Sequence, residues 1–474
     1  MSIHEECGVF GIFNRNLEHN AVQETYLALY ALQHRGQVSC GIAARNGDNV
    51  DCITELGTVP DVFNKDRLAS LTASGNGNVA IGHVRYSAQG EEDEINSQPM
   101  VMSYAKGSIS IVNNGSLVST AKLRSNLEAG GSVFQTNSNA EMIVHLIVRH
   151  RLQTENIEKA ISKAMGELEG AYSFIIMSPK KLIAVRDPKG FRPLCYGKLG
   201  DSYVIASESG AIQSIGGEVI RDIEPGEILV ITEDAVYSNK DNCGQKTSMC
   251  IFEHVYLARP DSVIDGASVH RARLNAGKFL AIEHPVEADV VVGVPDSGID
   301  AAIGYANESG IPFGLGLIKN RYIGRTFIQT TQKQRERSVQ IKLNPLGNEI
   351  EGKRIVLVDD SIVRGTTCAK LIKKLRDAGA KEIHMRISSP PFINPCYFGT
   401  DISSKDKLIA CRMDIEGILK FIGADTLGFL SLEGLHKVAE KSNVSFCDAC
   451  FTGNYPVDIS GPNYVDKFDY KIKK

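Results

Sequence analysis

The apolar run 354–358 ends in two adjacent carboxylates, Asp359 and Asp360, and the chain then passes through Ser361, Arg364, Gly365, Thr366 and Thr367 into a helical pattern. Few folds accommodate that order. A short strand without alternation is apolar on both faces, as strands of a covered parallel sheet are. The helix predicted over 367–378, with Leu371, Leu375 and Ala378 on one face, supplies part of the cover. Ligands of such sheets sit at the carboxyl ends of the strands, where these aspartates fall. Asp359 and Asp360 can accept hydrogen bonds from vicinal hydroxyls of a sugar. The backbone N–H groups of Arg364, Gly365, Thr366 and Thr367, with the two threonine hydroxyls, stand at a helix start whose dipole favours a phosphate. Gly365 lets the backbone approach that phosphate closely. Helix capping alone accounts for the hydroxyls. It does not account for the aspartates, which repel one another without a ligand or cation.

The same grammar governs the chain from about residue 285. A second continuous run at 289–294 is followed by the loop 295–298, and 384–388 reads as a further strand. The first half differs. Strands are predicted at 7–13, 79–85, 109–113, 173–177, 182–186, 203–206 and 228–231, with helices over 21–34 and 140–152. Strands arriving in groups between helices suggest an α+β layered domain. The polar stretch 236–249 reads as the connection, and the tail after Gly453 as irregular chain. At 474 residues the chain exceeds one ordinary core, since a domain takes roughly 150. Fifty-two basic against 56 acidic residues leave a net charge of −4, which gives nucleic acid no electrostatic footing as a partner. No apolar run approaches the roughly 18 residues that span a bilayer, so no membrane partner is expected. Residues 1–6 hold two glutamates and no lysine or arginine, unlike a secretory signal, and a cytoplasmic location is the expectation.

The segment 356–367 resembles the signature loop of type I phosphoribosyltransferases, which bind 5-phosphoribosyl 1-pyrophosphate. Residues 294–298 (VPDSG) resemble that family's pyrophosphate loop. The resemblance implies that Asp296, Ser297, Lys319, Arg321, Tyr322, Asp359, Asp360, Arg364, Gly365, Thr366 and Thr367 bind the substrate. It also implies that Ser297, Asp359 and Asp360 surround Mg²⁺, a hard cation suited to oxygen ligands and retained waters. The basic stretch 319–343, with Arg321, Arg325, Arg335 and Arg337, reads beside such a loop as a lid that neutralises phosphates and excludes water. An isolated charge run would instead be a solvated helix face.

Four other segments belong together: Cys7 before the run CGVFGIF, then LQHRG at 32–36, GHVRYS at 82–87 and IVNNGSL at 111–117. A cysteine before a strand is ordinarily core. Together these segments resemble the glutaminase domain of class II amidotransferases, an N-terminal-nucleophile hydrolase fold, over about residues 7–230. In that family the leader is removed, and the free α-amino group of the cysteine serves as base for its own thiol. The resemblance implies that Cys7 is the nucleophile and that Asn114 and the Gly115 N–H form the oxyanion hole. It places Arg85 on the glutamine α-carboxylate, Asn139 on its α-amino group, and Arg35 with Gly36 around the pocket. The chain departs from the family pattern at three points. Asn113-Asn114-Gly115-Ser116 stands for His-Asn-Gly-Asn, Val38 for an acidic residue, and Asn139 for the aspartate of Ser-Asp-x-Glu.

Eleven cysteines in a reducing compartment are not expected to form disulfides. Cys40, Cys52, Cys195, Cys243, Cys368 and Cys411 read as buried small hydrophobes. Cys447 and Cys450 form a CxxC that alone suits a redox dithiol, a zinc half-site or nothing. Cys250 and Cys396 supply two further thiols, the number a [4Fe–4S] cluster requires. Their contexts resemble the iron–sulfur branch of the glutamine phosphoribosylpyrophosphate amidotransferases, which is also the branch with a cleaved leader; zinc is the alternative occupant.

That family covers nearly the whole chain. It implies a leader at 1–6, a glutaminase domain at 7–235, a phosphoribosyltransferase domain at 250–445, and a C-terminal segment at 446–474 that carries the CxxC. It further implies glutamine and phosphoribosyl pyrophosphate as substrates, internal passage of ammonia, purine nucleotides as feedback inhibitors and a homotetramer. An ammonia-dependent paralogue with a weakened glutaminase would keep the same motifs. A phosphoribosyl-pyrophosphate sensor would keep only the second half and add a DNA-binding helix-turn-helix. A sugar-phosphate aminating enzyme would keep only the first.

Overall fold

The computed structural model describes residues 7–15, 19–47, 49–72, 77–86, 94–320, 343–400, 402 and 404–459. The first half is four layers deep. A seven-stranded sheet runs in the order Glu218–Asp222, Cys195–Leu199, Ser202–Ala206, Gly8–Phe13, Val79–Arg85, Ser39–Asn46, Asn49–Leu56. A six-stranded sheet runs Val236–Asn239, Ile228–Ile231, Leu182–Arg186, Ser173–Met177, Gly107–Asn114, Met100–Tyr104. The alternation of side chains along each strand builds three cores. Val9 and Phe13 meet Val112, Ile175 and Met177 between the sheets. Phe10 and Ile12 point outward to the helix Ala21–Ala31. Ile111, Phe174 and Ile176 point outward to the helices Asn139–Arg151 and Ile157–Met165. Central strands buried on both faces read as continuous apolar runs even though every pair in these two sheets is antiparallel.

The strands at 79–85, 173–177, 182–186 and 228–231 fall where the sequence places them. The first helix stops at Ala31, short of the expected 34, and a 3₁₀ turn at Gln33–Arg35 replaces its end. That turn brings Gly36 down onto the strand Val79–Arg85, a contact a continuing helix could not make. The expected connection at 236–249 begins as the strand Val236–Asn239, an exposed edge paired with Ile228–Ile231. The hairpin Ser39–Asn46/Asn49–Leu56 went unforeseen because its outer strand is polar.

The second half holds a parallel sheet in the order Val290–Gly293, Arg354–Asp359, Glu382–Ile387, Thr426–Phe429. Val291, Val356 and Val358 pack on the helices Val269–Glu283 and Gly298–Ser309. Val292, Ile355 and Leu357 pack on Thr366–Asp377 and Ile415–Ile422. Both faces are therefore covered, as the unalternated runs require. The strand Met249–Cys250 pairs in parallel with Phe446–Cys447, which returns the C-terminal segment to the junction between the halves. Among the described residues no helix is long and apolar enough to cross a membrane.

The six cysteines expected in the core divide. Cys40, Cys195 and Cys368 are buried and Cys243 is half-buried, but Cys52 and Cys411 are exposed. Cys52 lies on the outermost strand of its sheet, at the margin of the space between the two sheets, and Cys411 on the short helix Ile409–Arg412.

Candidate functional site

Asp359 closes the strand Arg354–Asp359, and Asp360 opens the loop that leads to the helix Thr366–Asp377. Ser297, at the start of the helix Gly298–Ser309 from the neighbouring strand, donates its hydroxyl to Asp360 Oδ2 at 2.5 Å. Ser361 donates to the other oxygen, and the Asp360 N–H donates to Asp359 Oδ1 at 3.0 Å. Burial, then its neighbour's charge, pushes Asp359 well above the usual carboxylate range. Burial also raises Asp360, against the hydroxyls of Ser297 and Ser361 and the charge of Arg273. Two such carboxylates side by side are short of positive charge, and a divalent cation fits the deficit. Gly365 caps the following helix with φ +77°, a left-handed conformation that favours glycine. Thr366 and Thr367 are exposed beside it, as is Arg364. Asp296, in the loop after Val290–Gly293, is paired with Lys319, so the strand before the basic stretch is tied to that loop. Arg321, Tyr322 and nearly all of the expected lid lie outside the described residues.

At the other end of the chain, Cys7 is fully buried just before the strand Gly8–Phe13. Its backbone N donates to Asn114 Oδ1 at 3.2 Å. That bond orients the Asn114 amide, whose Nδ2 is buried with no hydrogen-bond partner among the described residues. An orphaned buried donor is costly unless a ligand completes it. Gly115 follows with φ +121°, and a Cβ there would stand 2.6 Å from the Ala171 carbonyl oxygen. Asn113, one of the departures from the family pattern, holds this turn: its N–H donates to Gln98 Oε1 at 2.8 Å and its Nδ2 to the Gly115 carbonyl at 3.1 Å. His83 Nε2 lies 3.1 Å from the Asn113 carbonyl, and burial pushes this imidazole down to about 3, so it stays neutral. Arg85 is fully buried at the end of the strand Val79–Arg85. Asn139 is 3% exposed in the first turn of the helix Asn139–Arg151. Glu141, in the same turn, accepts from Gln135 N, Thr136 N and Thr136 Oγ1 at 2.7–2.8 Å and fixes the loop ahead of Asn139.

Arg35, expected around the pocket with Gly36, lies against the backbone of Cys7. Its Nε donates to the Cys7 carbonyl at 3.0 Å, while its guanidinium pairs with Glu208 at 2.6 Å and Glu253 at 2.8 Å. It holds the backbone of Cys7 from behind. Glu208 and Glu253 are both held below the usual carboxylate range. Burial opposes this, but the charges of His34 and Arg35 outweigh it for Glu208, as those of Arg35 and Arg192 do for Glu253. Sequence reading missed this network, because its partners lie 173 and 218 positions apart.

Cys250, Cys396, Cys447 and Cys450 line one cavity with Phe191, Phe398, Ile402 and Tyr455. Burial, with further effects from neighbouring thiols, pushes Cys250 up to about 12 and Cys447 and Cys450 well above the ordinary thiol value. As bare thiolates they would repel, a balance that a bound cation would reverse. The Phe398 N–H donates to Cys396 Sγ at 3.4 Å, the kind of backbone bond that stabilises a ligating sulfur. Among the described residues no three Cys, His, Asp or Glu side chains converge tightly enough for a single metal ion. The four thiols that share this cavity are the number of donors a [4Fe–4S] cluster requires.

A glutamine amidotransferase domain model matches residues 83–214 and a phosphoribosyl transferase domain model residues 270–388. The chain is 45% identical over 467 residues to amidophosphoribosyltransferase of Methanothermobacter thermautotrophicus, covering 98% of this chain and 97% of that one. It is 47% identical to the amidophosphoribosyltransferase of Bacillus subtilis, covering 96% and 95%. Among solved structures it resembles the B. subtilis glutamine phosphoribosylpyrophosphate amidotransferase complexed with ADP and GMP. The TM-score is 0.88 and the identity 45%, over 98% of this chain and 100% of that one.

Proposed function

The chain belongs to the amidophosphoribosyltransferase family, and from that membership we propose how its two sites convert glutamine and 5-phosphoribosyl 1-pyrophosphate to 5-phosphoribosylamine in purine biosynthesis. The observation that carries the glutamine half is Asn114, which accepts from the Cys7 N and whose buried Nδ2 has no partner among the described residues. Cys7 Sγ attacks the amide carbonyl of glutamine, and the oxyanion that forms accepts from Asn114 Nδ2 and the Gly115 N–H. With residues 1–6 removed, the Cys7 α-amino group takes the thiol proton and delivers it to the departing nitrogen. Ammonia leaves, a thioester remains, and water hydrolyses it to glutamate and the free thiol. Arg85 binds the α-carboxylate of glutamine and Asn139 its α-amino group. An intact mass that retains residues 1–6 in active enzyme would remove the α-amino group from this scheme.

In the second half, Asp359 and Asp360 hold the ribose, and the loop from Arg364 to Thr367 holds the 5-phosphate. Asp296 and Ser297 face the pyrophosphate, and Lys319, Arg321 and Tyr322 are assigned to the same substrate. Mg²⁺ held by Ser297, Asp359 and Asp360 would neutralise charge on the pyrophosphate leaving group. Ammonia attacks C1 as the bond to pyrophosphate breaks. The four cysteines would hold a [4Fe–4S] cluster, which would supply a cross-link between the segments at 250, 396 and 447–450; no step passes through it.

Purine nucleotides as inhibitors are inferred from the B. subtilis relative, which is complexed with ADP and GMP; titrating each against phosphoribosyl pyrophosphate checks this. A homotetramer in the cytoplasm completes the reading, tested by light scattering and cell fractionation. The whole scheme requires one glutamate and one pyrophosphate per turnover when both substrates are supplied. Sustained pyrophosphate release with glutamine but without glutamate would refute it.

A further inference from the structure

The junction between the two domains buries four charged side chains that neither half-reaction consumes. Arg35 and Glu208 come from the first domain, and Glu253 from the second, in the π-helical segment Glu253–Leu257. Arg192 approaches from the first. All four are at most 1% exposed, and their charges balance two against two. Glu253 grips the Arg35 guanidinium with both oxygens, at 2.8 and 3.0 Å, and accepts from Arg192 Nη1 at 2.9 Å. Arg35 in turn donates to the Cys7 carbonyl. Arg192 continues to the Phe398 carbonyl and Thr400 Oγ1, both at 3.2 Å, at residues that line the cysteine cavity. A forked ion pair in a dry site fixes the plane of the guanidinium, and through it the backbone of Cys7.

We infer that Glu253 is a positioning residue for Cys7, so that the glutaminase site is complete only when the second domain supplies it. The inference rests on Cys7 being the nucleophile. Glu253 acts through Arg35, which holds the Cys7 carbonyl.

Glu253→Gln keeps the shape and removes the charge. The expected result is a fall in kcat/KM for glutamine on the order of ten- to a hundredfold, the scale of a small displacement of a reacting group. The loss should lie in kcat rather than in KM, and alkylation of Cys7 by iodoacetamide should slow in parallel. Ammonia-dependent pyrophosphate release should keep its wild-type rate. Breaking a buried pair can also unfold a protein. The charge-balanced variant Glu253→Gln with Arg192→Gln guards against this, and it should fold and show the same glutamine-specific loss. If both variants lose glutamine and ammonia activity in proportion, keep both, or fail to fold, Glu253 is only a structural ion-pair partner and the inference is wrong. Cys7→Ala runs alongside: glutamine use surviving in that variant would overturn the assignment of the nucleophile instead.

Discussion

A single methyl group at Gly36 should disable glutamine use while sparing ammonia use. Gly36 has φ −160°, extended backbone open to any residue, so alanine meets no conformational objection there and its effect is steric. Its Cβ would stand 2.5 Å from the Arg85 carbonyl carbon, 2.6 Å from the Arg85 N and 2.6 Å from the Val84 carbonyl carbon. Ordinary contact begins at 3.4 Å, a shortfall of roughly 0.9 Å. All three obstacles are backbone atoms of a central strand, so no side chain can rotate away. The turn and the strand have to part, at a cost of about 1–3 kcal/mol for overpacking. Arg35 precedes Gly36 and holds the Cys7 carbonyl, while Arg85 is the proposed ligand of the glutamine carboxylate. Displacing both by nearly 1 Å predicts a loss of up to about a hundredfold in kcat/KM for glutamine. The assay is pyrophosphate release with glutamine and, separately, with ammonium. An alanine variant with wild-type glutamine kinetics, or one that loses both activities equally, would refute the steric argument.

Asn139→Asp should lower the KM for glutamine about five- to thirtyfold, because a charge-assisted bond to the substrate ammonium exceeds a neutral one by roughly 1–2 kcal/mol. The first turn of a helix favours the added carboxylate; kcat and ammonia kinetics should hold, and an unchanged or higher KM contradicts the placement. For the cysteine cavity, protein made anaerobically should be brown, with about four iron and four acid-labile sulfide per chain. Serine at Cys250, Cys396, Cys447 or Cys450 should remove the colour; colourless protein with stoichiometric zinc rejects the cluster.

The parts of this protein that sequence made visible are those whose chemistry is local. The strand, paired carboxylates, glycine and helix at 354–378 describe their own geometry, and Ser297 of the neighbouring loop donates to Asp360. The strands of the sandwich centre were legible because apolar segments, several of them alternating, are bounded by Gly, Asn and Ser clusters. The edge strand Asn49–Leu56 was not, since one face is polar and its place depends on pairing with Ser39–Asn46. The network around Arg35 was invisible for a related reason. Arginine and glutamate give the same signal on a solvated surface as in a buried pair, and only the folding of residues 35, 192, 208 and 253 onto one spot distinguishes them. Cys52 and Cys411 show the converse, small apolar residues left exposed on elements at the margin of their layers.

The central claim is that two separable sites on one chain share ammonia, and crossing two variants with two nitrogen sources tests it most directly. Pyrophosphate release is measured for Cys7→Ala and for Asp359→Asn with Asp360→Asn, each with glutamine and with ammonium. Cys7→Ala should lose release with glutamine and keep it with ammonium, and the paired asparagine variant should lose both. Glutamine-dependent release surviving in Cys7→Ala, or ammonium-dependent release surviving in the paired variant, would contradict the account.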